Sequence, residues 1–350
     1  CEHIAIDTLP SPNGEHYQVT RSSALPQAAL QPQRRGHQRW WTASFSSLTR
    51  GLEAGTPHEE ALLDADTDAQ ATQDTALNAT NSTNVSGQHT SPGALVSAWQ
   101  AFPAGASYGS LLHDLLEWQA QQGWPLASTQ PAVWQQQAWQ QLVQRKADWL
   151  KLPPDALALI DPWLQTIIRT PLPLIDDQHG QALAAPLTLQ SLQAAHQWPE
   201  MEFSIPAGHV SSAELDLLIQ QHVLPGVPRP SLLPQVMQGM LTGFMDLVLQ
   251  HDGRYWVMDY KSNKLPDYHS PQLQQAVLDK RYDVQYVLYI LALHRLLKTR
   301  LKGYNFKQHI GGAVYVFLRG IDTPNAGVHA LCPPFELIDQ LDQLFAKVAA

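Results

Sequence analysis

The chain has 350 residues, 44% of them hydrophobic, with 11 Trp, 10 Tyr and a formal net charge of −9. This describes a globular chain with a sizeable core, in two domains or one large one, and no apolar run approaches the ~18 residues of a membrane span. The only cysteines, Cys1 and Cys332, exclude a four-cysteine zinc or iron–sulfur site and a disulfide framework, so a cytoplasmic setting is expected.

The charge is unevenly spread. Residues 254–350 carry a balance of +4 and the remainder −13, so a polyanion would have to be met by the C-terminal part or with help from another subunit. The opening residues, "CEHIAIDTLP", have neither a Met start nor a signal-peptide layout and read as the cut end of a longer polypeptide. "RWWTASFSSLTRG" reads as a short strand, a serine cap and a helix start. Residues 54–93 are acidic, rich in Thr, Ala and Asn, and free of aromatic, Lys and Arg side chains. Such a stretch cannot bury enough apolar surface to offset its ordering entropy and is expected to be a flexible linker, with the folded domain running over 94–350.

Beyond the linker, "SYGSLLHDLLEWQAQQ" has the spacing of an amphipathic helix over about 107–120, and further helices are expected near 131–150 and 155–169. "MEFSIP" (201–206) and the 240–261 region read as strands, 271–301 as one long amphipathic helix, 311–320 as a buried strand and "PPFELIDQLDQLFAKVA" as a final helix. The order predicts a mixed α/β domain with a helical N-terminal part. No G-x-x-x-x-G-K-[ST] stretch occurs, which excludes a P-loop nucleotide hydrolase.

The chemistry concentrates in "GFMDLVLQHDGRYWVMDYKSNK" (243–264). Asp252-Gly253 is a hairpin signal, and folding about it sets His251 against Arg254, Leu249 against Trp256 and Asp246 against Asp259. Lys261, two residues beyond Asp259, shares its face. The opposite face (Met245, Leu247, Leu249, Trp256, Met258, Tyr260) is apolar, which argues for central strands. Two apposed carboxylates repel; protonation of one, neutralisation by Lys261, or a shared divalent cation would relieve them. Hard oxygen ligands with open positions suit Mg2+.

Asp246, twelve intervening residues, then Asp259-Tyr260-Lys261 resembles the core of the PD-(D/E)xK nucleases, a restriction-endonuclease-like mixed sheet flanked by helices. The wider wording, through "RYDVQYVLYILALHRLLKTRL" and "HIGGAVYVFLRGID", resembles the nuclease domains of the RecB family, as do "WTASFSSL", "GSLLHDLLE" and "MEFSIP" in order upstream. The resemblance implies that residues 1–53 hold the end of a helicase region and the start of the nuclease domain. It implies an Mg2+-dependent DNA exonuclease acting on single strands from unwound duplex ends during double-strand-break repair, with RecC-like and RecD-like partner subunits. A non-catalytic scaffold module, or a structure-specific resolvase-type nuclease on the same core, are the alternatives.

By the same resemblance His113 is the third metal ligand beside Asp246 and Asp259, with the Tyr260 carbonyl as a further one and Lys261 catalytic. Taken alone, a histidine among leucines reads as core. Glu202 is expected to point into the site if Phe203 packs outward, and is preferred over Glu200. Gln285 and Tyr289, four apart on a helix, with Tyr282 one turn earlier, resemble the family's Q-x-x-x-Y element, which borders the DNA path. Lys264, Lys280 and Arg281 read as solvated charges. Phe45 stands where the family usually has Tyr, a change expected to alter packing more than chemistry.

Overall fold

The structure is a computed structural model and describes residues 41–49, 98–176, 181–182 and 186–346. The expected linker and residues 1–38 lie outside the described residues.

Strand β1 (Trp41–Ala43) leads into the short helix α1 (Phe45–Thr49), where Ser44 and Ser47 cap one another through reciprocal backbone-to-hydroxyl bonds of 3.1 and 3.3 Å. Three helices follow: α2 (Ala106–Gln121), α3 (Val133–Leu150) and α4 (Pro154–Arg169). A small ladder, β2 (Ile175–Asp176) with β3 (Gln181–Ala182), precedes β4 (Gln197–Ser211) and α5 (Ser212–His222). Then come β5 (Val236–His251), β6 (Arg254–Lys261), α6 (Ser270–Asp279), α7 (Tyr282–Arg300) and the single turn α8 (Phe306–His309). The chain closes with β7 (Ile310–Phe317), β8 (Val328–Leu331) and α9 (Phe335–Ala346).

The main sheet is mixed. β5 runs antiparallel to β4 and β6, while β6 runs parallel to β7 and β7 antiparallel to β8. β4 occupies one edge of β5 along most of its length. The other edge is shared: β1 lies parallel beside 239–241 and β6 beside 247–251, with residues 242–246 between them. The β5–β6 turn has the expected register, His251 opposite Arg254 and Leu249 opposite Trp256. Asp252 and Gly253 both take left-handed φ (52° and 75°), the twist a two-residue antiparallel connection needs.

Each sheet face has its own core. On one face Leu111, Leu112, Leu115, Leu116, Trp163 and Leu164 pack with Leu247, Leu249, Trp256, Met258 and Tyr260. On the other, side chains of α5–α7 and α9 pack on Val248, Val257, Ala313, Tyr315 and Phe317. Burial on both faces explains why β7 reads as an unbroken apolar run.

Some expectations need correcting. The 271–301 stretch is two helices, broken at Lys280–Arg281, where Arg281 takes a left-handed φ of 56°. From Tyr282 to His294 α7 is buried on all sides rather than amphipathic. Arg281 is 0% exposed, not solvated: its Nη2 lies 2.6 Å from Asp216 Oδ1, its Nε 3.0 Å from Asp283 Oδ1, and its Nη1 donates to the Pro230 carbonyl at 2.6 Å. Asp283 also receives Arg229 at 2.8 Å. Paired charges of this kind tolerate burial where an isolated one would not. The strained break therefore delivers a guanidinium into the interior. Met245 does not share a face with Leu247; it packs with Val248 and Val257, because the side-chain alternation slips beside Asp246.

Candidate active site

Asp246 lies where both neighbouring ladders open. Toward β4, rungs form at Pro199–Leu247 and Met201–Met245, but the intervening Glu200, in a left-handed conformation (φ 48°), makes none with Asp246. Toward β6, the ladder ends at Leu247–Met258. The Asp246 carboxylate continues it: Oδ2 accepts the Tyr260 backbone N–H at 2.7 Å. The same oxygen lies 3.3 Å from Nδ1 of His113, which α2 brings from the helical layer. The His113 ring also stands edge-on to Tyr260, centroids 6.1 Å apart.

Asp259 and Lys261 share one face of β6, as the period of two requires, and are 2% and 5% exposed. Lys261 Nζ is 2.9 Å from Asp259 Oδ1, a buried ion pair. The ammonium lies over the Tyr282 ring, 4.0 Å from its centroid, and 5.4 Å from that of Tyr315. Beneath this cradle Tyr315 Oη donates to Gln285 Oε1 (2.8 Å), and Gln285 Nε2 donates to Tyr289 Oη (2.9 Å).

The electrostatics follow from this packing. Burial opposes charge on His113, but Asp246 against its ring outweighs that and holds the imidazole up at about 9. Burial alone would raise Asp246, yet the His113 contact and the Tyr260 N–H keep it below the usual carboxylate range. Asp259 is pushed up to about 7, chiefly by burial and also by Asp246, against the pull of Lys261. Two carboxylates in one site thus have opposed proton affinities.

Of the residues singled out in the sequence, His113, Asp246, Tyr260, Asp259 and Lys261 converge. Tyr282, Gln285 and Tyr289 are buried behind Lys261, so their side chains support the lysine rather than face a solvent channel. Glu202 is placed otherwise than expected. Phe203 packs inward against Tyr289, centroids 5.6 Å apart, which turns Glu202 to solvent. Glu200 is half-buried between the Pro199–Leu247 and Met201–Met245 rungs, and its charge is felt by the Tyr260 phenol. Phe45 is buried in the core with Ile205 and Leu241, a packing role.

One imidazole nitrogen and two carboxylates form a donor set that suits a hard or borderline divalent cation. The types of residue fit. In the present arrangement they engage one another, and among the described residues no three His, Cys, Asp or Glu side chains form a ready ligand cluster. A cavity of about 270 Å3 at the far end of the hairpin, lined by Leu192, His196, His251 and Asp252 among others, contains none of these residues.

Residues 95–350 match the PD-(D/E)XK nuclease superfamily. The chain belongs to that superfamily. It is also similar to RecBCD enzyme subunit RecB of Escherichia coli K12, 36% identical over 252 residues, covering 70% of this chain and 19% of the relative. The RecB subunit of Mycobacterium tuberculosis H37Rv is 32% identical over 343 residues, 88% of this chain and 29% of the relative. That of Buchnera aphidicola (Acyrthosiphon pisum) is 36% identical over 183 residues, 50% and 15%. The chain thus spans less than a third of these relatives. The superfamily membership accounts for the mixed sheet flanked by helices.

Proposed function

We propose that this chain is the nuclease domain of a RecBCD-type helicase–nuclease, an Mg2+-dependent exonuclease that hydrolyses DNA phosphodiesters at broken ends. The observation that carries the reading is the convergence of Asp246, Asp259 and Lys261 at the gap in the β5 ladders, with His113 entering from the opposite layer. The RecBCD relatives support the cellular setting, a reducing cytoplasm with RecC-like and RecD-like subunits beside the chain. Single strands from an unwound duplex are the expected substrate.

Asp246, Asp259 and His113, with the Tyr260 carbonyl, would hold a divalent ion whose Lewis acidity activates water and offsets charge on the phosphate. The protein does the rest by positioning. Asp246, tied to the Tyr260 amide, fixes where β5 and β6 diverge. Lys261, held over Tyr282 and beside Asp259, presents an ammonium that orients the attacking water and neutralises the developing oxyanion. Gln285 and Tyr289 brace Tyr315, and with Tyr282 they hold the lysine in place. In this role they act from the interior.

The deciding experiment is cleavage of linear single-stranded DNA by the purified polypeptide with and without Mg2+, beside Asp259→Ala. Mg2+-dependent degradation that the variant loses is the expected result. Full activity in Asp259→Ala would remove the proposal, and absence of any cleavage would favour a scaffold module. Preference for a synthetic four-way junction over the linear strand would point to a resolvase.

A further inference from the structure

Arg319, just past β7, is 1% exposed and plays no part in the chemistry above. Its guanidinium donates to carbonyls of two chain segments. Nη1 reaches the Trp99 and Phe102 carbonyls (2.9 and 2.8 Å), Nη2 that of Pro103 (2.7 Å), and Nε that of Ser262 (2.9 Å). The planar fork also lies beside the rings of Trp163 and Phe102, 5.7 and 6.0 Å from their centroids. A buried cation spread over aligned carbonyl dipoles is a rigid tie, and only the five fixed donors of arginine can span it.

The two segments are the ones the site depends on. Pro103 lies two residues before Gly105, the N-cap of α2, and α2 carries His113. Ser262 directly follows Lys261. A parallel tie runs beside it: Gln100 Nε2 donates to the Leu265 carbonyl and Tyr268 Oη, both at 3.1 Å, and Tyr268 Oη donates to the Asn263 carbonyl at 3.0 Å. Both links join the entrance of α2 to the exit of β6. His113 reaches the site from the helical layer and Lys261 from β6; α2 packs on Trp256, Met258 and Tyr260 of that strand through their shared core, and the two ties add a polar register at the entrance of the helix.

We infer that Arg319 is a positioning residue that registers α2, and with it His113, against the Lys261 end of β6. The inference deepens the proposed nuclease reading and rests on it for its effect on rate, but not for its effect on structure. Two variants of the full-length chain test it, Arg319→Lys and the milder Gln100→Ala. The first readout is hydrogen exchange without added metal over 106–113 and 261–268, with α9 as internal control. The second is kcat and KM on single-stranded DNA.

Arg319→Lys is expected to speed exchange in both segments while α9 keeps wild-type protection, and to lower kcat about 10–100-fold with KM within about threefold, the loss that a small misplacement of a catalytic group brings. Gln100→Ala should move the same quantities in the same direction by less. Unchanged exchange in the two segments, exchange raised equally in α9, or an unchanged kcat in a loosened variant would each overturn the inference. If Arg319→Lys does not accumulate as folded protein, Gln100→Ala decides alone. A wild-type chain without nuclease activity would sink the functional reading, and the exchange comparison would still decide the tie.

Discussion

The carboxylate of Asp246 accepts the backbone N–H of Tyr260 at 2.7 Å, one residue beyond the last β5–β6 rung. One side chain thereby ends a ladder and begins a site. This double duty separates two variants. Asp246→Asn keeps an acceptor for the amide and loses the charge, so cleavage should fall at least about 100-fold, with any loss of stability coming from the His113 ion pair alone. Asp246→Ala also strands a buried N–H and should lose about 1–3 kcal/mol of stability in a denaturant titration.

Asp259 and Lys261 should show strong energetic coupling. Lys261→Met leaves a buried carboxylate without its cation and should destabilise by about 3–5 kcal/mol. Asp259→Asn strands the buried Lys261 ammonium and should also destabilise, but by less, because it removes one of two repelling acids. The double variant should recover most of the loss and remain inactive, and a double-mutant cycle of unfolding free energies measures the coupling.

The Arg281 network makes a prediction remote from the chemistry. Arg281→Met leaves Asp216 and Asp283 buried without that guanidinium and should cost about 3–5 kcal/mol in chemical denaturation. Because Arg281 is the N-cap of α7, the helix carrying Tyr282 and Gln285, that variant should also lose nuclease activity before it loses global structure.

His329 gives the fold a defined acid limb. Burial holds its imidazole down at about 4 from the ordinary 6.5, and its Nε2 lacks a hydrogen-bond partner. Below pH 6.5 the unfolded chain takes up a proton that the folded chain refuses until about pH 4. Stability from this group is therefore complete above pH 6.5 and lost as pH falls through that window, by up to about 3 kcal/mol. Melting temperatures of His329→Phe between pH 7 and 4.5 should fall less than those of the parent.

The hairpin was legible in the sequence because its determinants are local: a turn dipeptide that tolerates positive φ and an alternation that fixes which residues meet. His113 was singled out only by resemblance, since nothing local sets it apart from a core histidine, and it comes from a separate layer. Glu202 was preferred over Glu200 because strand alternation was taken with Phe203 outward, whereas Phe203 packs inward on Tyr289 and the left-handed backbone at Glu200 breaks the alternation. Arg281 and Arg319 were unreadable for a related reason. An arginine looks like surface until the carbonyls and carboxylates that receive it are known, and those come from distant segments.

The edge of β5 left open between β1 and β6 is where the imidazole-bearing helical layer meets the sheet that carries the acids and the ammonium. A chain whose α2–α4 layer came away would keep its acids and its lysine and still lack a working centre. On the proposed reading, phosphodiester cleavage reports whether the layers remain docked, so an assembly could silence the enzyme by prying on a helix and leaving the acidic residues untouched.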